Sequence, residues 1–193
     1  MNKEIEKKYS IKNLPDDIEI VKIQDIQQAF IYRDTKSHIR LRKLDDRKAK
    51  TTQYVYTVKT KGDITYNNDY NIARLYEIES YISKDEYEDL MQKRIANMIN
   101  KTRINVPIEN DLVVEIDIYY DYLEGLITAE IEFPDEETAK IFEKPDWLGE
   151  ELGYKNFSNG KLSLMNREQF INNVTDEFME NNKIIIEKLK KLI

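Results

Sequence analysis

Leu112-Val113-Val114-Glu115-Ile116-Asp117-Ile118-Tyr119 is the stretch whose reading decides the fold. Successive side chains of a β-strand point to opposite faces, so Val114, Ile116 and Ile118 share one side and Glu115 and Asp117 the other. Working outward, the next apolar-acidic run repeats the pattern: Glu130 and Glu132 oppose Ile131 and Phe133. Upstream, Lys101 and Arg103 share a face, as do Glu77 and Glu79. Thr57, Lys59 and Lys61 oppose Tyr56 and Val58, and His38, Arg40 and Arg42 oppose Ile39 and Leu41. Near the start, Glu4, Glu6 and Lys8 stand together.

This period-two pattern predicts strands over roughly 2–11, 27–33, 37–44, 52–61, 72–82, 101–106, 111–119 and 126–133. Ser83-x-x-Glu86 is a capping box that opens a helix, and Pro134 before DEETAKIF opens a shorter one. Phe170, Val174, Phe178, Ile185, Leu189 and Leu192 form a helical stripe, which predicts one long amphipathic helix over about 166–193. No linker or repeat breaks the chain, so residues 1–193 are expected to form a single domain.

For any one strand, a solvated outer sheet face accounts for the charges. That account weakens when strand after strand gathers acids with acids and bases with bases, because like charges close together are costly. An eight-stranded antiparallel barrel, closed so that the charged face lines its interior and helices cover its apolar outside, fits the pattern better. The expected class is therefore α+β, mainly β. Charges enclosed in this way need compensation. Metal cations would offset the carboxylates, and a polyanion would offset the Lys and Arg groups. Oxygen ligands without Cys or His-rich sites suit Mg²⁺ or Mn²⁺, and a polyanion that binds such ions and many basic groups is most simply a phosphate chain.

Composition narrows the classes further. The 193 residues carry 35% charged side chains and a net charge of −7, which argues against nucleic-acid binding through bulk positive charge. With no cysteine, thiolate chemistry and disulfides are excluded, and His38 is the single histidine. No apolar run has the length of a membrane span and MNKEIEKKYS lacks the form of a signal peptide, so a soluble cytoplasmic protein is expected, as monomer or homodimer.

Glu4-Ile5-Glu6-Lys7-Lys8 is an E-x-E-x-K motif, followed in order by HIRLRK, TVKTKG, YEIES, INKTR, VEIDIYY, AEIEF and WLGEELGYKNFSNGKL. This series closely resembles the CYTH family, the triphosphate tunnel metalloenzymes, over residues 2 to about 164, and its last segments resemble the small bacterial inorganic triphosphatases. The resemblance implies an eight-stranded tunnel that binds triphosphate and a divalent metal. It assigns metal-binding or tunnel-facing acids to Glu4, Glu6, Glu77, Glu79, Asp117, Glu130 and Glu132. Phosphate contacts fall to Lys8, Arg40, Arg42, Lys59, Lys101 and Arg103, with Lys155 or Lys161 as a further basic residue, and Lys8 is also implied to help activate water.

Two positions depart from the family pattern. Gln28-Ala29-Phe30 stands where small bacterial members often carry Q-G-Y, so the tyrosine hydroxyl is missing and Tyr32, two residues on, is a candidate replacement. Leu75 stands where an arginine often precedes the E-x-E, and Arg74 points the other way. The expected activity is metal-dependent hydrolysis of inorganic triphosphate. Competing readings are an adenylyl cyclase, a nucleoside or thiamine triphosphatase, and a non-catalytic polyphosphate-binding module.

Overall fold

The computed structural model describes residues 2–61 and 73–193, the side chains of residues 2–4, 61, 73–75, 154 and 155 excepted. Its strands are β1 (Asn2–Ile11), β2 (Lys22–Arg33), β3 (Ser37–Asp46), β4 (Thr51–Lys61), β5 (Ala73–Ile82), β6 (Ile99–Pro107), β7 (Val113–Tyr119), β8 (Ile127–Glu132) and β9 (Leu148–Glu151). The helices are α1 (Lys84–Met91), α2 (Glu136–Ile141), α3 (Tyr154–Phe157), α4 (Asn159–Leu162), α5 (Arg167–Ile171) and α6 (Asp176–Lys190).

All strands join one antiparallel sheet in the order β5-β4-β3-β2-β6-β7-β8-β1-β9, with β1 also pairing β5. Glu6 of β1 faces both Glu132 of β8 and Ala73 of β5, so β8 and β5 lie on opposite edges of β1. Tyr9 likewise faces both Ala129 of β8 and Glu151 of β9. The edge of β1 opposite β8 is thus divided, its first half to β5 and its last to β9. This corrects the expectation of eight strands closed into a barrel: among the described residues the sheet has nine strands, and the edge that simple closure would give wholly to β5 is shared.

The sheet is inside out relative to an ordinary globular sheet. Ile5, Ile104, Val114, Ile116, Ile118, Ile127 and Ile131 are buried on its outer face and pack in one cluster with Ile185, Ile186 and Leu189 of α6. The hydrophobic effect is satisfied outside the sheet, between strands and helices, which frees the inner face to carry charge.

Local signals place the helices. The predicted capping box at Ser83 and Glu86 is formed, and Tyr87 of α1 lies 4.9 Å from the Tyr54 ring of β4. The single helix expected over 166–193 is instead two: α5 opens on a capping box of Asn166 and Gln169, and Thr175 caps α6 afresh. Asn172 and Asn173 lie between them, and residues of this type satisfy backbone groups locally and so favour helix ends. Among the described residues no helix is long and apolar enough to cross a membrane.

Candidate active site

The inner face encloses a cavity of about 440 Å³ whose walls include Glu6, Gln28, Arg40, Arg42, Lys59, Glu77, Glu79, Lys101, Arg103, Glu115, Glu130, Glu132 and Lys161. Register explains the convergence. Arg42 lies between Gln28 of β2 and Val55 of β4, Arg40 faces Thr57, and Lys59 lies between His38 of β3 and Glu77 of β5. Arg103 of β6 faces Asp117 of β7, and Glu115 of β7 faces Glu130 of β8.

Two groups of ion pairs result. On β3–β5, Glu77 accepts from Lys59 at 3.1 Å and from Arg40 at 3.4 Å, and Arg42 pairs with Glu79. Burial raises the Glu77 pKa, but Lys59 and Arg40 outweigh it and hold the carboxyl below its ordinary range. Burial, with Arg40 close by, pulls the Arg42 guanidinium down to about 10, so it remains charged at neutral pH.

On β6–β8, Asp117 is fully buried and accepts from Lys101 at 2.5 Å and from two nitrogens of Arg103 at 2.7 Å. Arg103 also binds Glu130 at 2.6 Å and pairs with Glu115. The Lys8 ammonium donates to Glu130 at 2.7 Å and to the Phe157 carbonyl at 2.8 Å. Burial works against its charge, yet Glu130 prevails and holds the Lys8 pKa above the ordinary lysine value. Conversely, despite burial, Lys8 and Arg103 keep the Glu130 carboxyl well below the usual range. Burial and the neighbouring Arg103 bring Lys101 down to about 8.

Two observations point to a ligand that carries both signs. Glu6 stands opposite Glu132 across β1–β8, whereas the facing acids Glu115 and Glu130 across β7–β8 are already bridged by Arg103. Like charges set directly across a ladder are destabilising, and an intervening cation relieves them. In addition, Gln28 Nε2, Arg40 Nε and Arg42 Nε are buried without a hydrogen-bond partner among the described residues. Each unmet buried donor costs about 1–3 kcal/mol, and a phosphate oxygen would satisfy it.

The carboxylates of Glu6 and Glu132, which face each other across β1–β8 and line the cavity, offer the oxygen ligands that suit a hard divalent ion. Among the described residues no three acids or histidines form a ready-made metal cage. That agrees with Mg²⁺ chemistry, in which one or two carboxylates act together with waters and substrate phosphates.

The acids expected to act as one metal set are therefore distributed. Glu77 and Glu79 lie on β5 among basic partners, Asp117 is locked beneath Lys101 and Arg103, and Glu130 bridges Lys8 and Arg103. The side chains of Glu4, Lys155, Arg74 and Leu75 lie outside the described residues. Lys161 lines the cavity and is exposed.

Tyr32 does not replace the missing hydroxyl. A register shift between Phe30 and Tyr32 turns it out of the face, where it is 47% exposed and donates to Asp34 at 2.7 Å. Arg33 then lines the cavity and donates to the Gly160 carbonyl. A different tyrosine stands on the inner face. Tyr119 is buried, its ring is 5.6 Å from the Lys101 ammonium, and its hydroxyl donates to Asn159 Oδ1 at 2.9 Å. Gln28, Arg33, Glu115 and Tyr119 were missed as site residues. Strand parity marks Gln28, Glu115 and Tyr119, whereas Arg33 carries no such signal because the bulge reverses its face.

No protein-family model matches the chain. An inorganic triphosphatase of Acetivibrio thermocellus is 32% identical over 167 residues, which span 84% of this chain and 94% of that protein. An inorganic triphosphatase of Nitrosomonas europaea is 28% identical over 164 residues, 83% of this chain and 97% of that one. A crystal structure of an inorganic triphosphatase superposes with a TM-score of 0.58 at 26% identity, covering 86% of this chain and 97% of that chain.

Proposed function

The chain belongs to the inorganic triphosphatase family, and from that premise we propose that it hydrolyses inorganic triphosphate held against the charged inner face, with a divalent cation on the β1–β8 acids. The finer placement among the CYTH-type triphosphate tunnel metalloenzymes rests on the ordered motifs from Glu4 to Leu162. The observation that carries the reading is the segregation of charge around one cavity. Glu6 opposes Glu132 across β1–β8, while Arg40 and Arg42, which line the same cavity, carry buried Nε donors with no partner among the described residues.

Glu6 and Glu132, with Glu130 next to them on β8, would hold the ion, Mg²⁺ or Mn²⁺. Bound there, it would neutralise charge on the phosphate oxygens as the P–O bond breaks. Arg40, Arg42, Lys59 and Arg103 hold the phosphate chain and align it for attack by water, which is how much of phosphoryl-transfer catalysis is achieved. Gln28 adds a neutral donor beside Arg42. Lys8, which is kept protonated by Glu130, serves as a fixed cation that sets the Glu130 carboxylate and not as a proton acceptor.

The test is phosphate release from triphosphate, ATP, pyrophosphate and thiamine triphosphate, with Mg²⁺ or Mn²⁺ and with EDTA. Triphosphate should be the preferred substrate, and EDTA should abolish release. Metal-dependent binding of triphosphate with no turnover of any substrate would leave a binding module instead.

A further inference from the structure

The rim of the cavity formed by Arg33, the 34–37 turn and His38 is not used by the mechanism above, yet it is continuous with the site. His38 opens the inner face of β3, with Arg33 of β2 as its register partner on one side and Lys59 of β4 on the other. Its imidazole packs edge-on against Phe30, with ring centroids 5.3 Å apart at 74°, so its orientation is fixed by an apolar neighbour. It lines the same cavity as Arg40 and Arg42, which carry the unmet donors.

We infer that His38 is a substrate-binding residue, whose imidazole N–H donates a hydrogen bond to an end phosphate of the bound triphosphate, between Arg33 and Lys59. This inference rests on the hydrolase reading above and adds the end of the site at which one terminal phosphate is read.

The electrostatic setting gives the residue a purpose that a further lysine would not serve. The charged groups around it are Arg33 from β2, Arg40 on its own strand, Lys59 from β4 and Glu77 from β5, with Lys161 of α4 on the same cavity wall. Burial, then Arg40, Lys59 and Arg33, hold the His38 pKa down to about 4, so the ring is neutral at working pH. A neutral ring donates one hydrogen bond without adding to the repulsion among those cations. A polyanion beside it reverses the local balance, because a nearby negative charge favours the protonated form. Substrate therefore raises the imidazole pKa, and the bond strengthens as it forms.

Because His38 is the only histidine, its ring signals in ¹H–¹⁵N spectra need no assignment. Three samples separate the outcomes: protein alone, protein with triphosphate in EDTA, and protein with imidotriphosphate and Mg²⁺. Calorimetry on each sample reports binding independently. The expected result is a saturable shift of the ring nitrogens and an imidazole pKa that rises on binding. In kinetics, His38→Ala should raise KM roughly three- to tenfold, as expected for one neutral hydrogen bond. His38→Gln, which keeps a neutral donor, should recover part of that loss. Binding by calorimetry with an unmoved imidazole, or an unchanged KM in folded His38→Ala, overturns this inference alone. Absence of binding of both triphosphate and imidotriphosphate overturns the hydrolase reading and this inference with it.

Discussion

Glu6 of β1 and Glu132 of β8 stand directly opposite each other on the inner face, a like-charge pair that the antiparallel register holds in place. Two carboxylates set across a ladder repel each other, and a divalent cation bound between them lowers that repulsion. Mg²⁺ should therefore raise the melting temperature of the protein, and Glu6→Gln or Glu132→Gln should reduce that rise. Thermal melts with EDTA and with increasing Mg²⁺ measure this directly. Equal Mg²⁺ stabilisation in wild type and both variants would remove these residues from the metal site.

Asp117 calls for a different forecast, because it is fully buried and already held by Lys101 and Arg103. Removing one partner from a buried ion-pair network leaves uncompensated charge and costs about 3–5 kcal/mol. At roughly 2–4 °C per kcal/mol for a chain of this size, Asp117→Asn should lower the melting temperature by about 10 °C. Its loss of stability should be as large in EDTA as in Mg²⁺. A variant of wild-type stability that has lost only its response to Mg²⁺ would make Asp117 a metal ligand after all.

The difference between these residues shows what the sequence does and does not disclose. Alternation around Glu115-Ile116-Asp117 and Glu130-Ile131-Glu132 marks the charged face because strand parity is a local property. It does not say which acid lies beneath an arginine and which faces open space, since that depends on side chains reaching from neighbouring strands. Tyr32 was misread because one extra residue after Phe30 reverses parity for the rest of β2. The four-residue β9 was overlooked because Leu148–Glu151 is too short to show a period, and it alters how the β1 edge is shared. Gln28 carries no charge to mark it in the alternation, and its unmet amide donor is visible only once burial is known.

Lys8 distinguishes a fixed cation from a general base. Its ammonium is tied to Glu130 and to the Phe157 carbonyl, and its pKa is held above the ordinary value. Lys8→Arg should then retain activity within about tenfold of wild type, since a charged donor still reaches Glu130. Lys8→Ala should lose roughly 100-fold or more in kcat as Glu130 loses its position. Circular dichroism and triphosphate calorimetry would confirm that both variants fold and bind. Equal inactivity of the two in folded, binding-competent protein would restore Lys8 as the group that accepts the proton.

The last prediction concerns the unmet donors of Gln28, Arg40 and Arg42. A buried donor without a partner weakens the fold but strengthens binding, because the ligand recovers what folding left unsatisfied. Triphosphate at about 100 times its Kd should stabilise the wild-type protein by about 2.7 kcal/mol. Arg42→Ala should raise KM by roughly 10- to 100-fold, the range for a charged hydrogen bond, and should also lower kcat if the reacting phosphorus is displaced. Gln28→Leu is the sharper variant. The substitution removes the orphaned amide donor without touching any ion pair, so the ligand-free protein should be as stable as wild type or more so, while triphosphate affinity falls. Urea denaturation and calorimetry on the same preparation test both halves. If Gln28→Leu weakens the fold and leaves triphosphate affinity intact, the amide is a structural group and the phosphate chain lies elsewhere on the face.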